Sequence, residues 1–179
     1  MGKLHRWMGM AALLAAVGAG AADEPLADCK FSALVSDNDP AGYAVRDKAA
    51  GDAKVLARLS VAGGAIVAVT GFQNGWFRVS EAENDPDPPQ KPKNIFKGPG
   101  FVAAGTLTRE VSVKPKAPGA VFEEPNAKSK PAPALKPGGM VRVLACKGDW
   151  LKVRGRADSG PVEGWMNSDA TCLATRSAC

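Results

Sequence analysis

The chain has 179 residues, 45% of them hydrophobic, with 20 glycines, 14 prolines, a formal net charge of +5 and one histidine, His5. Its 23 basic and 18 acidic residues are interspersed, without the basic run that would point to nucleic acid as a partner. His5 falls in an N-terminal leader, so the remaining chain lacks the usual general base and the usual metal ligand; no enzyme, metal or cofactor is expected.

That leader is the first element. Lys3, His5 and Arg6 form a basic start, Met8–Val17 an apolar run, and Ala19-Gly20-Ala21 and Gly20-Ala21-Ala22 two small-residue cleavage sites. The pattern is that of a signal peptide over residues 1–22, and the apolar run is too short for a membrane anchor. Leu26-Ala27-Asp28-Cys29 superficially resembles a lipidation site. Asp28 and the distance from the apolar run argue against it. Cleavage leaves 21 basic and 18 acidic residues, a net charge of +3, on a chain expected in the periplasm or outside the cell, with no membrane anchor.

A lead-in over residues 23–40 holds one alternating piece, Phe31–Val35, expected as an extra strand or one packed on the first unit. Asp37-Asn38-Asp39-Pro40 is a turn signal. Strands are expected at Gly42–Arg46, Val55–Leu59, Ala65–Gly71 and Trp76–Ser80, with a polar excursion over Asp47–Lys54. Glu81–Gly98 is expected to interrupt the sheet, because its prolines cannot donate to a ladder. Its PxxP spacings (Pro86/Pro89 and Pro89/Pro92) fit a solvated loop better than a ligand motif, and no calcium-loop signature surrounds Asp85 and Asp87. Phe101–Val113 closes this part, and Lys114–Pro118 is a short, stiff hinge. Beyond it come the Pro-rich excursion Ala127–Pro137, a hairpin of Met140–Ala145 and Trp150–Val153, a variable loop, Gly164–Met166, and Thr171–Leu173.

The same order occurs twice. Leu59–Gly64 matches Leu135–Gly139, Ile66–Gly71 matches Val141–Cys146, and Asn74–Val79 matches Gly148–Val153. Gly100-Phe101-Val102 stands where Gly164-Trp165-Met166 stands, and Val45-Arg46-Asp47 where Val121-Phe122-Glu123 stands. An internal duplication of this kind fixes the number of units. Each copy resembles a bacterial SH3-like domain, with its "V-R … G-x-x-V-x-V … N-G-W-x-x-V … G-W/F-V" skeleton. The resemblance implies an all-β fold of two consecutive small SH3-like barrels, at residues 41–111 (with the insertion 81–98) and 112–179. It also implies a non-catalytic binding module directed at cell-wall material or proteins.

Cys29, Cys146, Cys172 and Cys179 all follow the leader, and an even count in an oxidising compartment points to two disulfides. Three pairings are open. The hairpin order favours Cys146–Cys172, with Cys29–Cys179 tying the tail to the lead-in. No CxxC pair supports zinc, and no G-x-S-x-G elbow supports a serine nucleophile.

Binding is then the expected role. Trp76 and Trp150, each opening the strand after a tight turn, are candidates for a surface groove, with Tyr43 and Arg46 beside the first; core packing is an equal alternative for both tryptophans. Phe101 and Trp165, each following a glycine, are expected in the core. Arg46, Arg78, Lys152 and Arg154 could supply charge at the rim. The expected partner is peptidoglycan or a wall-associated protein; the alternative is a secreted enzyme that the chain inhibits.

Overall fold

Apolar residues at every second position make strands, and Ala65–Gln73 shows the rule: Ala65, Val67, Val69 and Gly71 are buried while the residues between them are partly exposed. The computed structural model describes residues 24–36, 43–59, 64–84, 93–113 and 119–173. The leader 1–22, the Asp37–Pro40 turn, Pro86–Pro92, the hinge Lys114–Pro118 and Cys179 lie outside them. The described strands are β1 (Ala27–Val35), β2 (Tyr43–Arg46), β3 (Val55–Leu59), β4 (Ala65–Gln73), β5 (Trp76–Asn84), β6 (Asn94–Ala103), β7 (Leu107–Val111), β8 (Val121–Phe122), β9 (Pro131–Ala132), β10 (Met140–Lys147), β11 (Trp150–Ala157), β12 (Gly160–Asn167) and β13 (Thr171–Cys172). Among the described residues the one helical piece is a 3₁₀ turn, Ser168–Ala170. The chain is all-β and its pairings are antiparallel.

All thirteen strands belong to one hydrogen-bonded sheet in the order β3-β2-β6-β5-β4-β1-β7-β10-β11-β12-β8-β9, with β13 added on β7. Tight turns set the hairpin registers. Asn74 and Gly75 both take positive φ (51° and 78°), the requirement of a two-residue turn whose twist matches its strands. Gly148 (φ 54°) serves the β10–β11 turn, as its place in the sequence implies.

Three elements differ from expectation. Phe31–Val35 grows into a longer, nine-residue β1; it is added, as expected, to strands of residues 41–111, running between β4 and β7. The interruption expected at Glu81–Gly98 is shorter, because Glu81 pairs with Lys97, Ala82 with Phe96 and Glu83 with Asn94. Ala82 is fully buried, and that inward anchor extends the ladder toward the prolines. The variable loop after Val153 is a tight hairpin, β11 pairing β12 without a break from Trp150↔Asn167 to Ala157↔Gly160.

β7 is where the two halves of the sheet meet. On one edge it pairs with β10 from Leu107 to Glu110. On the other, β1 takes Leu107 and Thr108, and β13 takes Glu110 and Val111. Arg109 fastens both newcomers. Its Nε donates to Thr171 Oγ1 at 2.6 Å, Nη2 donates to the Thr171 carbonyl at 2.8 Å, and Nη1 donates to the Ser32 carbonyl. The guanidinium lies 5.9 Å from the centre of the Phe31 ring. Burial lowers the Arg109 pKa to about 10, partly offset by Asp169, which leaves it charged at neutral pH.

The cysteine pairing also differs from expectation. Cys29 is bonded to Cys146, with Cα atoms 6.1 Å apart at a sequence separation of 117, so neither Cys146–Cys172 nor Cys29–Cys179 forms. The reason is the path of β1. Its first residues pair with Phe72 and Gly71 beside the β4–β5 tip, and the end of β10 arrives there, Gly148 N–H donating to the Asp28 carbonyl at 2.9 Å. Cys29 sits at the register shift of β1 between Asp28 and Phe31, and Cys146 is paired with Leu151 just past the shift of β10 between Val143 and Ala145. Cys172 is disulfide-bonded too, to a partner outside the described residues, and no described cysteine is free.

A link across so long a segment is worth about 4–5 kcal/mol in the chain-entropy picture. A non-reducing peptide map should therefore join the Cys29 and Cys146 peptides, and C29S/C146S should unfold at markedly lower denaturant. Arg109→Met should cost about 2–3 kcal/mol, because the Thr171 and Ser32 acceptors lose charged donors; a chemical denaturation curve measures it.

Candidate functional site

The outward direction of the aromatic residues is decided by two glycines. A Cβ on Gly164 would lie 2.5 Å from Val121 Cγ1 and 2.7 Å from the Phe122 carbonyl oxygen. On Gly100 it would lie 2.4 Å from Val45 Cγ1. Both glycines face inward, where a neighbouring strand crosses too closely for a side chain. Strand alternation then sends Trp165 and Phe101 outward, with Met166 and Val102 fully buried after them. Phe101 and Trp165 are thus half-buried on the outer face, not in the core where they were expected.

The same alternation places Trp76 and Trp150. Each is half-buried, while the next residues, Phe77 and Leu151, are among the largest fully buried side chains. In the first half, Arg46 and Arg78 flank Phe101 as its cross-strand partners. One step along, Trp76 is paired with Ala103, whose carbonyl accepts the Tyr43 hydroxyl at 3.3 Å. Arg46, Trp76 and Arg78 from this half of the sequence reading therefore share one outer surface with Phe101. Tyr43, paired with the buried Leu59, instead packs against the core and reaches Ala103 through its hydroxyl. Arg46 is oriented by a 2.5 Å hydrogen bond from Nη1 to the Ala53 carbonyl, which spans the neck of the Asp47–Lys54 excursion.

A cleft of about 330 Å³ opens at that surface. Asp47, Lys48, Ala49 and Ala50 form one wall, Gln73 and Asn74 at the β4–β5 tip form the other, and Phe101 lines it between them. The tip is held in turn, since Asn74 Oδ1 accepts the Glu24 N–H at 3.1 Å. A half-buried ring between polar walls can take a flat or apolar group of a ligand while backbone and side-chain amides read its polar edge.

The second half repeats the pattern with different residues. Phe122 and Lys152 flank Trp165, as Arg46 and Arg78 flank Phe101. Phe122 also meets Trp150 edge-on, ring centres 5.7 Å apart, so Trp150 is partly covered by its neighbour. Phe122 was not anticipated as a surface residue. The signal was present: it takes the position of Arg46 in the duplicated pattern, and Arg46 faces out. Lys152 and Arg154 both reach Glu163, at 3.0 Å and 2.7 Å. Hydrogen bonds from Arg154 and then from Lys152 hold the Glu163 carboxyl below the usual carboxylate range.

Among the described residues no three His, Cys, Asp or Glu side chains gather as a metal-binding group. What the two faces offer is contact area, flanking positive charge and a shallow cleft.

Gly164→Ala should destabilise the fold by about 1–3 kcal/mol, the cost of forcing a methyl group into an occupied space. Trp165→Ala, on the outer face, should cost clearly less; paired thermal melts compare them.

Residues 115–171 match the family model described as the bacterial SH3 domain. No curated protein matches the chain. The matched segment runs from ahead of β8 to the first residue of β13, so the bacterial SH3 domain is detected over the half of the sheet that carries Phe122, Trp150 and Trp165.

Proposed function

We propose that this chain is an exported, non-catalytic binding module of the cell envelope, built from two SH3-like barrels, and that it recognises peptidoglycan or a wall-associated protein chiefly through its first half. Residues 1–22 serve as the export signal in this reading. The bacterial SH3 match supports a binding role, and the Cys29–Cys146 disulfide fits an extracytoplasmic location. Support for a second, earlier barrel comes from register: Arg46↔Phe101↔Arg78 in one half answers Phe122↔Trp165↔Lys152 in the other.

The observation that carries the reading is the cleft between Asp47–Ala50 and Gln73–Asn74, lined by Phe101, with Trp76 directly paired to Gln73 beside it. The second half shows an edge-on Phe122–Trp150 pair in the corresponding region, which leaves the first half the better receptor. Rigid, half-buried aromatic rings lose little entropy on contact and commonly dominate binding energy.

Sedimentation with purified wall sacculi tests the proposal, beside capture of envelope proteins on immobilised chain. Trp76→Ala and Phe101→Ala should each weaken retention by about tenfold or more, as loss of a binding hot spot does, with the thermal midpoint little changed. Trp150→Ala should weaken it less. Retention unaffected by Trp76→Ala and Phe101→Ala would remove the first face as the binding site. Capture of a soluble secreted enzyme, with inhibition of its activity, would replace the envelope reading by that of an inhibitor.

A further inference from the structure

A second site lies on the opposite flank of β7 from Arg109, two residues along β11 and β12 from the Lys152–Trp165 pair. Reading across the sheet, Leu34, Thr108, Arg142, Arg154 and Glu163 form one row of directly paired residues on β1, β7, β10, β11 and β12. Two arginines thus stand opposite each other on neighbouring strands, an arrangement that is unfavourable unless an anion offsets it. Arg156, two residues along from Arg154, adds a third guanidinium. Together with Ser36, Met140, Gly155 and Pro161 they line a cleft of about 370 Å³.

The charges in this cleft are not balanced within the described lining, which contains no carboxylate. Glu163, at the far end of the row, is shared between Arg154 and Lys152. Arg142 makes one hydrogen bond, Nη1 to the Gly105 carbonyl at 3.1 Å. No described hydrogen bond or ion pair involves Arg156. Beneath them Thr108 is 5% exposed, and its Oγ1 has no hydrogen-bond partner. A buried hydroxyl without a partner is uncommon and calls for an acceptor.

We infer that the Thr108–Arg142–Arg154–Arg156 cleft is a binding site for an oxyanion, the phosphate or terminal carboxylate of a small ligand. Guanidinium groups present paired N–H donors that match such oxygens, and bonds between the two are charge-assisted. Thr108 adds a neutral donor at the floor. The anion also removes the repulsion between Arg142 and Arg154.

Backbone-amide NMR titrations of the full-length mature chain, at constant ionic strength, test this with three probes: inorganic phosphate, acetate, and a short blocked peptide with either a free or an amidated C-terminus. Saturating shifts centred on Thr108, Arg142, Arg154 and Arg156 are expected with phosphate or with the free-carboxylate peptide, and the responding probe identifies the anion class. Arg142→Gln should weaken the response about tenfold, the loss of one charge-assisted interaction. Arg156→Gln, which removes no described contact, should do so with the thermal midpoint unchanged. Thr108→Val should weaken binding while leaving or raising the midpoint, since it deletes an unpaired hydroxyl. Shifts that rise linearly without saturation, or that persist in Arg156→Gln, would overturn the site. So would a response that appears only in D37N/D39N, because it would show that the chain's own acids following Ser36 occupy the cleft.

Discussion

The sheet depends on the strip of backbone from Leu107 to Val111. β7 has only five residues, yet it is hydrogen-bonded to β10 along one edge and to β1 and β13 in succession along the other. A strand shared in this way leaves a gap where one neighbour stops and the next begins. Arg109 spans that gap by donating to both Ser32 and Thr171. A lysine could supply the charge but not several donors fixed in one plane, so the geometry of the guanidinium is what allows a single side chain to close the junction. Its burial is compensated because its donors meet oxygens and its face meets Phe31.

With β7 held, the surfaces on either side follow from pleat and crowding. Where two strands approach too closely for a side chain, glycine is required inside, and the next residue must face solvent. Gly100 and Gly164 impose this at equivalent places. The outer faces are therefore by-products of core packing as much as features in their own right. Their chemistry differs because position 46 is arginine and position 122 is phenylalanine. The first face keeps an open ring between two cations, and the second fills part of its own surface with an aromatic pair.

Most of the strand order was legible in the sequence, because tight turns and alternating apolar residues are local. The Asn74-Gly75 and Gly148 turns announce their hairpins, and Val55–Leu59 lies in the structure where the pattern places it. What was not legible is set by contacts distant in sequence. Nothing near Cys29 says that β1 lies beside β7, so its disulfide partner could not be deduced. The prolines after Asn84 obscured Ala82 and Phe96, whose inward packing extends the β5–β6 ladder. For Phe101 and Trp165, aromatic character suggested the core, whereas the parity set by the preceding glycine decides the direction. Tyr43, Arg46, Trp76 and Arg78 were recognised individually. Their convergence around Phe101 and Ala103 needed the register of three strands.

The position of β1 has a consequence in time. A ribosome delivers a chain from its N-terminus, so Ala27–Val35 is available before the other described strands. Its neighbours arrive later: β4 some thirty residues on, β7 only after residue 107, and the Cys146 thiol later still. The earliest of these strands therefore waits long for its second neighbour, and for most of the chain's emergence one of its edges has no native partner. Such distant pairings make closure slow compared with hairpin formation. They also make an unfinished chain recognisable by chemistry: until β10 has docked, Cys29 remains a thiol, and its oxidation marks the moment at which the first-made and last-made halves have joined.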